Sequence, residues 1–254
     1  MKAKTFGLLA AGFLVTANAN AALTSVDGGL GVYDSTYNIT WTSNANLLVS
    51  QYGAVATIIS DANSANGGAG LSTGVVSSSD FSTAGYMTWA GANAWVHYLD
   101  VTDYGGSNQW ALPTTVDSSS SIGYPDGGSG QAAVSSSQMA ELFYGGLGQV
   151  AGTSIATTHN ANYALFSNMA ASAPDAYWSG TPVSATPGDA WHFNIVDGHQ
   201  QPLVESDGGY AFAVSPGLVS VPLPAAAWLL GSGVLGLLGL GRRKAKTLAL
   251  RSSG

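Results

Sequence analysis

The residues of this 254-residue chain that could do chemistry are its carboxylates, its four histidines and its aromatic rings. Asp100 and Asp103 stand one helical turn apart at the end of an apolar helical pattern, and Asp117 and Asp126 flank a Ser-rich tract. Each pair offers oxygens to a hard cation such as calcium, for which millimolar extracellular concentrations suffice at weak sites; a solvated acidic face accounts for the same residues. Asp61 to Gly67 begins like a calcium loop, but Asn66 comes one position late and Ser72 stands where the bidentate Glu belongs, which excludes an EF-hand. His97, His159, His192 and His199 coexist with many Ser and Asp, so a Ser/His/Asp triad is available by numbers alone. No His-x-x-x-His metal pair occurs. Sugar rings stack on Tyr and Trp faces, and the loop residues Tyr104 and Tyr124 are the least constrained candidates for that role.

The elements that must position these groups read as an α+β domain. Trp89, Ala92, Trp95, Val96 and Leu99 recur at helical spacing behind Thr88 as N-cap, and Met139, Leu142 and Phe143 form the apolar side of a second short helix after Ser135 to Gln138, which has capping-box spacing. Later the pattern changes to period two. Trp191, Phe193 and Ile195 alternate with His192, Asn194 and Val196, Asp197-Gly198 supplies a hairpin turn, and Asp207-Gly208 a second before Tyr210, Phe212 and Val214. This predicts an antiparallel meander whose middle strand has an edge or a bulge at Pro202. Shorter strands are expected near Val32 and Ile39 to Trp41, and Asn63 to Ser79 and Asp117 to Gly130 as solvated Gly/Ser connectors.

Composition limits the function. There is no Cys, which excludes a disulfide scaffold, a thiol nucleophile and a Cys-ligated zinc site. All seven Lys and Arg lie at the ends, Lys2 and Lys4 on one side and Arg242 to Arg251 on the other, while all fourteen acids fall between Asp27 and Asp207. A body with no permanent cation cannot neutralise phosphates, so nucleic acid is excluded as a partner.

Both ends read as addresses. Lys2 and Lys4, an apolar run from Phe6 to Val15 and the small residues Ala19-Asn20-Ala21 have the layout of a secretory signal, with cleavage expected after Ala21 or alternatively after Ala19. At the other end Val221-Pro222-Leu223-Pro224 precedes an uncharged stretch over 225–241 and then Arg242-Arg243-Lys244. That stretch is long enough for a transmembrane helix whose basic flank stays cytoplasmic. The arrangement resembles the PEP-CTERM sorting signals of Gram-negative bacteria in the Val-Pro-Leu-Pro-Ala variant, occupying 221–244 with a short tail over 245–254. The resemblance implies an exosortase-type membrane protease as partner, a transient inner-membrane anchor, and a finished protein at the cell surface or released, alongside exopolysaccharide.

The order of five segments in the body resembles a known family of secreted domains. They are Tyr33 to Trp41, Met87 to Leu99, Trp110-Ala111-Leu112-Pro113-Thr114, Tyr177 to Thr181 and Ala190 to Phe193. The family is typified by the C-terminal domain of the collagen-like adhesin Lcl. It implies one C-type-lectin-like α+β domain over 22–217, an extracellular setting, glycan binding in some members, no shared catalytic residue, and framework positions for Trp110 and Trp178. The family commonly has Arg where this chain has Ala111, so a neutral polysaccharide or a cation-bridged ligand is expected rather than a sulfated glycan. The reading is therefore a non-enzymatic structural or glycan-binding surface protein that needs no cofactor beyond calcium at most. The competing class is a secreted hydrolase acting on matrix polysaccharide.

Overall fold

Short alternating segments punctuated by Gly, Asp and Asn become the strands of two antiparallel sheets. The computed structural model describes residues 23–64, 75–117, 120–122, 137–170 and 175–219. The strands are β1 (Leu23–Val26), β2 (Gly31–Asp34), β3 (Ile39–Thr42), β4 (Ser121–Ile122), β5 (Ala176–Pro182), β6 (Asp189–Asn194), β7 (His199–Val204) and β8 (Val214–Pro216). One sheet has the order β1-β2-β3-β8 and the other β4-β7-β6-β5. The helices are α1 (Leu47–Gln51), α2 (Val55–Ser64), α3 (Trp89–Val101) and α4 (Gln138–Ala140), the last running on as a π-helical turn over Glu141–Gly146. The domain is α+β, as the patterning predicts.

Thr88 caps α3 through a bond from the Gly91 amide of 3.1 Å. Four details depart from the expectations. The stretch over 47–64, where no element was expected, forms α1 and α2, which bury Leu47, Leu48, Val55, Ile58 and Ala62. Ser137, not Ser135, caps α4 by accepting from the Ala140 amide at 3.3 Å, while Gln138 turns away to accept from the Thr114 amide at 2.7 Å. The meander ends at β7, because the chain after Asp207-Gly208 crosses over and β8 pairs with β3 in the other sheet. Finally, β6 is buried on both faces. Ala190 belongs to one core cluster and Phe193 to the other, and His192 is interior.

Pro202 lies opposite Trp191 on β6, and the described part of β4 pairs only with His199 and Gln200, so no described strand requires the missing N–H. The first cluster joins α2 and α3 to Trp110, Leu112 and Trp178. The second joins β1 to β3, the Met139 to Leu147 segment, Phe193 and Phe212. The Trp-x-Leu-Pro-Thr element stitches the sheets together. Ala111 exchanges two 2.9 Å backbone bonds with Val214, and Pro113 accepts from the Gly180 amide at 2.9 Å. Trp41, Trp89, Trp95, Trp110, Trp178 and Trp191 are all buried, which removes them as sugar platforms.

Among the described residues no helix is long and apolar enough to cross a membrane. The anchor expected over 225–241, the sorting residues Val221 to Pro224 and Arg242 to Lys244, and the cleavage residues Ala19 and Ala21 lie outside the described residues.

Candidate functional site

The expected ligand residues around the end of α3 are taken up by the fold. Asp100 accepts the Trp110 amide at 2.5 Å, and burial raises its carboxyl against the opposing pull of that amide and of His97. Asp103 is exposed, in the left-handed region at φ 51°. Tyr104 is half-buried, edge-on to Trp110 at 5.8 Å, its carbonyl receives the Trp110 ring N–H at 2.9 Å, and burial pushes its hydroxyl pKa up. Its ring is therefore partly covered by packing against Trp110. Asp117 clamps the second sheet, accepting the Trp191 ring N–H at 2.9 Å and the Ser184 amide at 3.1 Å. Bonds from the Ser184 hydroxyl, the Trp191 ring and the Ser184 amide hold its carboxyl below the usual range. Tyr124 and Asp126 lie outside the described residues. Among the described residues no three His, Asp or Glu side chains gather as metal ligands, so Asp100, Asp103 and Asp117 do not combine into one calcium site.

A cavity absent from the sequence reading opens at the start of α3. It measures about 200 Å³, and Ser79, Asp80, Ser82, Tyr86, Ser206 and Gly208 contribute to its lining. The turn Ser78–Asp80 is closed by a capping box in which Asp80 accepts from the Ser77 amide at 2.8 Å. Its other oxygen accepts from the Thr88 hydroxyl at 2.8 Å, so the helix cap and the cavity wall share one carboxylate. Tyr86 stands edge-on to Tyr210 at 6.2 Å. Gly208 is required beside it, because a Cβ there would lie 2.8 Å from the Tyr86 ring. The Ser77-x-x-Asp80 spacing was visible in the chain; what lay beyond it was the distant segment at Ser206 and Gly208 that closes the far wall. Hydroxyls, a carboxylate and an aromatic ring with no cation suit a neutral polyhydroxylated ligand. The volume is below the 300–1,000 Å³ of drug-sized sites and matches a single small unit rather than an extended chain.

The remaining unusual chemistry is internal. Asp34 on β2 is wholly buried and Glu141 is 1 % exposed. Asp34 accepts from the Thr36 and Tyr37 amides at 2.8 and 3.4 Å through Oδ1. Its Oδ2 and Glu141 Oε2 find no conventional donor, because the two carboxyls face each other. Burial first, then hydrogen bonding to Asp34 and its charge, push Glu141 up to about 10, so it holds a proton and donates it to Asp34. Elsewhere burial drives His192 down to about 4; it sits opposite Gln201 with Nδ1 unpartnered and interacts diagonally with His199 across the β6–β7 pair.

No family model matches the chain, and neither the curated proteins nor the solved structures contain a match to it.

Proposed function

We propose that this chain is an exported protein of the cell surface or extracellular matrix that acts without catalysis, as a structural and glycan-binding module. In this reading the segment over 1–21 directs export, the helix over 225–241 anchors the chain transiently, and an exosortase-type protease acts on the signal at Val221 to Pro224 and Arg242 to Lys244. The body over 22–217 is the binding unit, with the C-type-lectin-like architecture that its five segments suggest. The observation that carries the reading is the Asp80 and Tyr86 cavity, rich in hydroxyls, on a body without one Lys or Arg. Such a surface repels polyanions and offers donors and acceptors to neutral sugars.

The test is retention of the exported protein on exopolysaccharide from the producing cells, with calcium and again with chelator. Retention that is lost in Asp80→Asn and Tyr86→Ala supports the reading. Loss of polysaccharide chain length on incubation would instead establish the hydrolase. Retention only with calcium would point to a bridging cation.

A further inference from the structure

The cavity at the start of α3 is small, graded in depth and walled by segments that are tied down. Phe81 and Met87 are buried beneath it, Asp80 and Tyr86 are half-buried around it, and Ser79 and Ser206 are exposed at its mouth. Met87 and Gly209 exchange backbone bonds of 2.8 and 2.9 Å, and Phe81 pairs with Met87, so extended chain lies side by side along the floor. The segment from Ser82 to Tyr86 folds back on itself, the Ser82 amide donating to the Tyr86 carbonyl and the Gly85 amide to the Ser82 carbonyl, both at 2.9 Å. The far wall is held by the Trp89 amide on the Glu205 carbonyl and the Asp207 amide on the Val204 carbonyl, again both at 2.9 Å. The Tyr86 ring has the Gly208 backbone against it, where a Cβ would lie 2.8 Å away, and Tyr210 edge-on at 6.2 Å. Walls tied in this way keep their separation.

We infer that this cavity recognises chain ends: it takes the terminal unit of a neutral polysaccharide, or a branch one unit long, and leaves the interior of the chain unbound. Its volume of about 200 Å³ equals the liquid share of roughly seven waters, room for one ring and its hydroxyls but not for a run of linked rings. An internal unit is joined on both sides, and both linkages would have to leave through the same mouth. A terminal unit has one linkage, which leaves over the exposed rim at Ser79 and Ser206. The terminal unit also carries a free hydroxyl where an internal unit carries a linkage oxygen, and only the hydroxyl can donate a hydrogen bond. Ser82 lines the cavity, and its hydroxyl oxygen, which accepts from the Ala84 amide at 3.2 Å, keeps a second lone pair for such a donor. The Tyr86 ring supplies an apolar face for the ring of the bound unit.

The inference rests on the glycan-binding reading of the same cavity, and the experiment separates the two. The exported protein is retained on immobilised exopolysaccharide from the producing cells and released by the same polysaccharide in solution, intact or cut by partial hydrolysis into fragments of graded length. Cutting the chain to about one tenth of its length multiplies the ends per gram about tenfold, so such fragments should compete about tenfold better by mass and equally per end. Ser206→Tyr places a ring at the exposed rim, away from the core, and should abolish this competition. Competition that is unchanged by mass as the fragments shorten, and then fails below a minimum length, means that an internal run is bound; it overturns the inference and leaves the glycan-binding reading standing. End-dependent competition that survives Ser206→Tyr overturns the assignment to this cavity. No retention on the polysaccharide at all overturns the glycan-binding reading and the inference with it.

Discussion

Glu141→Gln should stabilise the domain at neutral pH, although it removes a buried acid. Glu141 is 1 % exposed and its carboxyl is pushed up to about 10 from an ordinary 4.5. In the unfolded chain it is ionised at pH 7, so folding must put a proton on it. The cost is about 1.4 kcal/mol for each pH unit above 4.5, or about 3 kcal/mol at pH 7, and it depends only on the folded value lying well above 7. Because the folded value is raised, the contribution of Glu141 is fully present below about 4.5 and is lost as pH rises toward about 10. Gln needs no proton and can still donate an N–H to Asp34. Its second N–H adds a desolvation cost of about 1 kcal/mol, leaving a net gain of about 2 kcal/mol at pH 7. At roughly 2–4 °C per kcal/mol for a domain of this size, Tm should rise by roughly 4–8 °C. The assay is thermal unfolding of the exported protein and its variant from pH 5 to pH 9. The gap should widen with pH and close near pH 5; a variant destabilised equally across the range would refute the shared proton.

Three further outcomes follow from other sites. His192 is neutral when folded, with its value near 4 against 6.5, so its contribution is complete above about 6.5 and is lost as pH falls toward about 4. In wild type this opposes the Glu141 slope between about pH 4.5 and 6.5, so unfolding should show a plateau there; in Glu141→Gln the acid-side decline should stand alone at about 1.4 kcal/mol per unit, read from urea midpoints. Gly198 has φ 79°, and a Cβ there would fall 2.2 Å from the Tyr144 hydroxyl and 2.7 Å from the Phe143 ring, so Gly198→Ala should cost about 3 kcal/mol or more in chemical denaturation. Added salt should raise Tm, because the body's ionised carboxylates repel one another with no internal Lys or Arg; a melting curve unchanged by salt or calcium would refute that reasoning.

Much of the fold was legible where one periodicity dominated. The 3.6-residue recurrence over Trp89 to Leu99 gave α3 and its Thr88 cap, and the period-two run over Trp191 to Ile195 gave β6 with its turn at Asp197-Gly198. The α1–α2 stretch was missed although Val55, Ile58 and Ala62 recur at helical spacing, because it runs directly into a Gly/Ser-rich tract that reads as a connector. The departure of β8 was equally hidden, since alternation shows that a segment is a strand without showing which strand it joins. At the site the balance is reversed. Tyr104, Asp100 and Asp117 have the right chemistry for ligands, yet each is engaged by Trp110 or Trp191. The Asp80 and Tyr86 cavity needs residues over a hundred positions away, and no local pattern announces it.

Charge is what the sequence determined by itself. A body with fourteen acids and no Lys or Arg offers no permanent positive charge to a polyanion whatever its fold, because that property is a sum over residues. Tertiary structure alone decided which acids matter. Asp34 and Glu141 are 107 positions apart and look like ordinary surface carboxylates in the chain. Packing β2 against the π turn removes water from both, and desolvation converts two acids into a proton-sharing pair.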